Sequence, residues 1–206
     1  MKLSLQFLQR AIQDQRPNLD ELMNKVSQTL ITQIDVLTDI ATSFSNFTNL
    51  PAMRPERLDV APILRRCVGL HQGGAAGTGI RLTLPEDADT GRYVVYADES
   101  LLVRTFNNLL INALQAIPPD RRPEVEAQLQ AQPNNRIRIC IQDNGTGIPA
   151  DVQDKVFVPN FTTKEKGSGI GLAVARRGIE SAGGTIWFET KEGAGTLFCI
   201  ELPLAG

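Results

Sequence analysis

Two glycine-rich turns carry the chemistry that can be read from this chain. The first, Asp143-Asn144-Gly145-Thr146-Gly147-Ile148, follows an apolar, strand-like run, Ile137-Arg138-Ile139-Cys140-Ile141. The second, Gly167-Ser168-Gly169-Ile170-Gly171-Leu172, runs straight into a helical pattern, Leu172-Ala173-Val174-Ala175. A loop that enters a helix leaves backbone N–H groups without partners, and such a helix start is a seat for phosphate. A single glycine triplet is a weak signal. Two of them, with a pair of asparagines upstream, are a much stronger one. The pair is Asn108 and Asn112, four residues apart and so on one face of a helix expected over 99–117. Two amides on one face can hold an ion or phosphate oxygens without adding charge. Between the glycine turns lies Phe157-Val158-Pro159-Asn160-Phe161-Thr162-Thr163-Lys164-Glu165-Lys166. Aromatics, a proline, hydroxyls and two lysines suit a mobile lid, apolar where it docks and basic toward phosphate. Lys164 is the expected phosphate contact.

The elements that must position these residues follow from periodicity. Helix 99–117 carries Leu102, Phe106, Leu109, Leu110 and Ala113 toward a core. Further helices are expected over 61–71, with Pro62 tolerated in the first turn, and over 170–182, stopped by Gly183-Gly184. Strands are expected over 80–84, 93–96, 137–142, 185–190 and 196–202, the last two joined by a turn at Gly193-Ala194-Gly195. Residues 73–77 and 118–133 read as surface loops. Helices and strands mix without regular alternation, which predicts an α+β two-layer sandwich over residues 58–206 and argues against a doubly wound sheet.

Residues 1–50 are different. They contain no glycine, and Leu5, Leu8, Ile12, Leu19, Leu22, Val26, Leu30, Leu37, Ile40, Phe44 and Phe47 recur mostly at helical steps. Pro17 breaks the pattern, and Asn18 suits a helix cap. The expectation is a helical hairpin with a short first arm. Its apolar stripe is most simply buried by a second copy of the chain, as a four-helix bundle. Residues 51–57, with Pro51 and Pro55, read as a linker.

Composition narrows the function classes. The chain has 206 residues, 42% hydrophobic, and a formal net charge of −2, so no basic excess argues for nucleic acid. Aromatic content of 5% also speaks against base-stacking surfaces. One histidine makes a zinc site very improbable. Cys67, Cys140 and Cys199 are odd in number and without C-x-x-C spacing, so buried reduced thiols are expected, in a reducing compartment. No apolar run reaches membrane-spanning length and no signal peptide is visible. A cytoplasmic location is expected for this chain, with anchoring of a longer parent in the inner membrane left open.

In these residues the chain resembles a known family. Residues 57–206 look like the ATP-binding domain shared by bacterial sensor histidine kinases, gyrase, mismatch-repair ATPases and heat-shock 90 chaperones. Asn108-Leu109-Leu110-Ile111-Asn112-Ala113 resembles the N box and Asp143 to Ile148 the first glycine box. Phe157 to Lys164 resembles the F box and Gly167 to Leu172 the second glycine box. Gly193-Ala194-Gly195-Thr196 fits the final glycine turn. The resemblance implies ATP and Mg²⁺ as ligands. By it, Asp143 accepts a hydrogen bond from the adenine amine, Asn112 ligates Mg²⁺, and Asn108 helps to hold the phosphates. Gly145 and Gly147 keep the wall under the nucleotide thin. Gly169 and Gly171, with Gly167 and Leu172 of the same box, meet the phosphates, and Thr196 lies beneath the adenine.

The same fold hosts kinases and hydrolases. Hydrolysing relatives carry a glutamate one turn before the Mg-binding asparagine, as a base for water. Here that position is Asn108, so the resemblance implies a histidine kinase, close in its F box to the nitrogen-regulation type, with a response regulator as relay partner. An ATP-binding scaffold and a slow gyrase-type ATPase are the alternatives. Two departures stand out. Gln115 replaces a residue that is basic in many relatives. The only histidine, His71, falls outside the hairpin and reads as an ordinary half-buried residue. Met1-Lys2-Leu3-Ser4-Leu5-Gln6 looks like the stretch that follows the family's phosphoacceptor. The chain is therefore expected to be a fragment beginning just after its own acceptor and unable to autophosphorylate on a family-type site.

Overall fold

The computed structural model describes residues 54–72, 79–164 and 169–206, together with Met23, Val26 and Ser27. These last three are helical. The expected hairpin over 1–50 and the loop over 73–77 otherwise lie outside the described residues. The chain divides into two compact units, residues 1–51 with 164–168, and residues 52–163 with 169–206.

In the second unit the elements run β1 (Glu56–Asp59), α1 (Val60–Gln72), β2 (Ile80–Thr83), β3 (Val94–Ala97), α2 (Glu99–Ala116), β4 (Val125–Gln132), β5 (Arg136–Asp143), a short 3-10 helix (Ala150–Lys155), α3 (Gly171–Ser181), β6 (Thr185–Lys191) and β7 (Gly195–Pro203). Five strands form one sheet in the order β2-β4-β5-β7-β6. The β2–β4 pair is parallel and the other pairs are antiparallel. β1 and β3 form a separate antiparallel ribbon.

Period-two alternation decides which sheet face is covered. Val125, Ala127, Leu129, Ile137, Ile139 and Ile141 are buried and join one core with Leu102, Phe106, Leu109 and Leu110 of α2. Each such large side chain contributes roughly 1.5–3 kcal/mol when fully buried. The opposite face carries Glu126, Gln128, Gln130, Arg138, Gln142 and Glu189 together with Trp187, Leu197, Cys140 and Cys199, which line a groove of mixed polarity. Helices on one face and a solvated second face make the α+β two-layer arrangement that the sequence predicts.

The helix that carries both asparagines is fixed at its two ends. Asp98 caps it with extended backbone, and its carboxylate accepts from the Leu101 N–H at 3.2 Å. At the other end Ile117 is extended (φ −86°, ψ 122°), the conformation imposed on a residue before proline, here Pro118.

Three expectations are corrected. The stretch 118–133 is not all loop, because Val125–Gln132 is a central strand, β4. Its inward residues are partly small and its outward ones polar, so its hydrophobic signal is weak. β1 begins at Glu56, inside the stretch expected as a linker. Cys140 and Cys199 are not free thiols but a disulfide, while Cys67 is free and buried. The two cysteines face each other across the β5–β7 ladder, with Cα atoms 4.2 Å apart. Burial raises the Cys67 thiol pKa above its ordinary value. Among the described residues no helix is long and apolar enough to cross a membrane.

Candidate functional site

The site grows from the C-terminal end of β5. Asp143 is the last residue of that strand and is 4% exposed. A carboxylate so deeply buried needs donors. Its Oδ1 accepts the Gly145 N–H at 2.8 Å and the Thr196 N–H at 3.2 Å. The two donors come from the first glycine turn and from the start of β7, so one carboxylate oxygen ties both turns together. Thr196 is buried as well, and its hydroxyl lies 3.0 Å from that of Thr190, which also accepts the Ile148 N–H at 2.9 Å.

The glycines are required by close approach. A Cβ on Gly145 would sit 2.6 Å from the Ala116 carbonyl oxygen, so the turn lies flat against the end of α2. The Thr146 N–H donates to that same carbonyl at 3.0 Å. Gly147 has φ +73°, which favours glycine, and its Cβ would collide with the Lys191 backbone.

The second half of the site joins α2 to α3. Asn108 lies against Gly171, where a Cβ would run into the asparagine amide. The Asn108 Nδ2 is buried and makes no hydrogen bond among the described residues. Asn112 is half-buried one turn further on, on the same face of α2. Among the described residues the N-terminus of α3 has no side-chain cap, and Leu172 is half-buried within its first turn. No described side chain therefore occupies its first N–H groups, as a phosphate seat needs. Gly169 has φ +65°, and its Cβ would meet the Phe161 carbonyl oxygen at 2.6 Å, so the second glycine turn lies against the Asn160–Phe161 backbone of the segment between the glycine turns. Phe157 packs on Phe188 and Phe198 with ring centroids 5.9 and 6.4 Å away, and the Arg176 guanidinium lies over its outer side at 5.6 Å. Aromatic docking of this segment is what its composition predicts.

The structure thus brings Asp143, Gly145 and Thr196 together, and Asn108 with Gly171. Gly147 is held against the end of β6. Lys164 is exposed and belongs to the first unit, and Gly167 lies outside the described residues. His71 is half-buried at the end of α1, its Nε2 3.0 Å from Asn107 Oδ1, in keeping with an ordinary structural residue.

Two contributors were not expected. Arg121 Nη1 donates to the carbonyls of Asn144, Gly145 and Gly193. Asn144 exchanges hydrogen bonds with Glu124 and Arg122, through Glu124 N–H to Oδ1 at 3.1 Å and Nδ2 to the Arg122 carbonyl at 3.0 Å. Both belong to the stretch before β4 or to its docking, where the sequence offers only proline and charge. The x in D-x-G-x-G was the one available pointer to Asn144.

The described residues thus offer a buried carboxylate, closely packed glycine turns, a buried amide nitrogen with no hydrogen bond among them and a helix start with no side-chain cap among them. Among the described residues no cluster of three or more His, Cys, Asp or Glu forms a metal cage.

Comparison with known proteins gives the family. Residues 97–206 match the family described as "Histidine kinase-, DNA gyrase B-, and HSP90-like ATPase". The sensor histidine kinase ZraS of Escherichia coli K12 is 29% identical over 187 residues, covering 88% of this chain and 38% of ZraS. The nitrogen regulation protein NtrY of Azorhizobium caulinodans is 30% identical, covering 90% of this chain and 24% of NtrY. The chain therefore spans well under half of these relatives. Among solved structures, the nucleotide-free catalytic domain of the histidine kinase ThkA superposes with a TM-score of 0.62 at 27% identity. The match covers 73% of this chain and 96% of that domain. ThkA in complex with the response regulator TrrA gives 0.66 at 20% identity, covering 98% of this chain and 57% of ThkA, a likeness of fold alone.

Proposed function

This chain belongs to the histidine kinase-, DNA gyrase B- and HSP90-like ATPase family, and from that premise we propose that it is the catalytic, ATP-binding part of a sensor histidine kinase. It binds Mg·ATP and directs the γ-phosphoryl to a histidine side chain, for relay to the receiver domain of a response regulator. The observation that carries this reading is Asn108 itself, whose buried Nδ2 lies beside Gly171 with no hydrogen bond among the described residues. It places a neutral donor at the start of α3, where hydrolysing relatives hold a carboxylate base. An amide can hold a phosphate oxygen but cannot take a proton from water.

In this reading Asp143 receives the exocyclic amine of adenine on a carboxylate already oriented by Gly145 and Thr196. Guanine, with a carbonyl at that place, would set oxygen against oxygen. Backbone N–H groups at Gly169 and Gly171 receive phosphate oxygens, and Lys164 is proposed from its sequence position alone as a source of positive charge. Asn112 would hold Mg²⁺, which when bound neutralises charge on the phosphates. Transfer consists of forming an N–P bond while the P–O bond to ADP breaks, so positioning and electrostatics account for most of the catalysis. The acceptor is a histidine other than His71, which is engaged with Asn107. Residues 1–50 act as the dimerisation hairpin, paired with a second copy, as supported by their helical stripe. ZraS and NtrY fit about equally, so the reading is a sensor histidine kinase without a finer type. ThkA, whose catalytic domain is 27% identical to this chain, is crystallised with a response regulator, and the partner class is proposed by analogy with it.

The nucleotide part is tested by calorimetric titration with Mg·ATP. Asp143→Asn keeps an oxygen for Gly145 and Thr196 but turns an NH₂ toward the adenine amine. Affinity should fall roughly a hundredfold, the effect of removing a charged acceptor and leaving donor against donor. Unchanged affinity would remove Asp143 from base recognition.

A further inference from the structure

Arg121 stands outside every motif of the site, yet one of its nitrogens meets three carbonyl oxygens. Nη1 donates to Asn144 at 2.5 Å, to Gly145 at 2.8 Å and to Gly193 at 3.3 Å. The first two oxygens belong to the first glycine turn and the third to the final one. Three carbonyl dipoles aimed at one point repel each other unless a cation sits there.

The peptide between Asn144 and Gly145 makes this contact consequential. Its C=O accepts from Arg121, and its N–H donates to Asp143 Oδ1 at 2.8 Å. One peptide plane thus lies between a guanidinium and a buried carboxylate, its dipole aligned with both. Hydrogen bonds in such a chain polarise and strengthen one another. The loop that bears Arg121 is itself fastened to the same turn. The Asn144 N–H donates to the Glu124 carbonyl at 3.2 Å and the Asn144 side chain bonds Glu124 and Arg122. The Arg121 N–H closes a turn onto Pro118 at 3.0 Å, just past the end of α2. Arg121 is therefore held in place from both sides.

We propose that Arg121 is a positioning residue for base recognition: it locks the Asn144–Gly145 peptide and the Gly193 turn, and so sets the direction in which Asp143 presents its carboxylate. It acts through Asp143 and does not itself touch the nucleotide. The proposal rests on the reading that Asp143 accepts from adenine.

The test is titration of the full chain with Mg·ATP, Mg·ADP and Mg·GTP, for wild type, Arg121→Met, Arg121→Lys and Asp143→Asn, with thermal unfolding of each. Arg121→Met should weaken ATP and ADP by the same factor, about tenfold, the effect of losing a charged hydrogen bond. The ATP-to-GTP preference should shrink with it. Arg121→Lys should restore most of the loss, because a single nitrogen makes all three bonds and an ammonium has three donors. If Arg121→Met does not fold, Arg121→Gln is read in its place. A loss for ATP that ADP does not share would mean direct phosphate contact and would overturn the proposal. So would an unchanged ATP-to-GTP preference with only a lower unfolding temperature. If Asp143→Asn binds and discriminates like wild type, the reading of Asp143 itself fails, and the role of Arg121 falls with it.

Discussion

Asn108 is where stability and function pull against each other. Its amide nitrogen is buried without a hydrogen bond among the described residues, a state that costs about 1–3 kcal/mol. Such a group persists when a ligand satisfies it. Asn108→Ala should therefore leave the unfolding temperature unchanged or slightly raised, while ATP affinity falls about tenfold. Thermal unfolding and calorimetry on the same sample check both halves, and a large loss of stability would mean that the amide serves the fold. Asn108, Asp143 and the glycines were legible in the sequence because each must be one residue type at a fixed spacing from a turn. Arg121 was not, since many arginines sit beside prolines in loops and only three converging carbonyls distinguish this one. The Cys140–Cys199 pair was equally hidden. Its partners are 59 residues apart, and only the β5–β7 register sets them face to face.

At the scale of elements, α2 organises the site. It presents Asn108 and Asn112 on one side, packs Phe106, Leu109 and Leu110 into the core on the other, and ends against the first glycine turn. Its start depends on Asp98, whose carboxyl is held below the ordinary aspartate value by the Ser100 hydroxyl, then by the Arg54 and Leu101 backbone N–H groups. Asp98→Ala should cost about 1 kcal/mol at neutral pH, the usual worth of a cap. A carboxyl depressed in the folded state stabilises above its unfolded value and ceases to do so as pH falls through its folded value. The gap between wild type and Asp98→Ala in urea unfolding should accordingly be full at pH 7 and close below about pH 4. A gap independent of pH would contradict the capping account. Long elements with strong apolar stripes, such as α2 and β5, were readable from periodicity. β4 was not, because its outward residues are Glu126, Gln128 and Gln130, and two of its inward neighbours are no larger than valine. β1 is four residues long with no apolar run, and only its pairing with β3 makes it a strand.

At the scale of the whole molecule, the five-stranded sheet is covered by helices on one face and carries polar side chains, Trp187 and the disulfide on the other. The glycine turns gather at strand ends and helix ends, where backbone groups are available to a ligand. This is a scaffold for holding a nucleotide, and by itself it leaves open whether the phosphoryl goes to water or to a side chain. Asn108 in place of a base, and the likeness to sensor histidine kinases, point to a side chain. The central claim is tested most directly by incubating the chain with Mg²⁺ and ATP labelled in the γ-phosphoryl. A helical hairpin bearing the phosphoacceptor histidine of a sensor kinase is added in one arm and omitted in the other. The account predicts acid-labile label on the added hairpin and none on the chain alone, whose single histidine is His71. Steady release of labelled phosphate in both arms, with no label on the hairpin, would contradict it and mark the chain as a hydrolase.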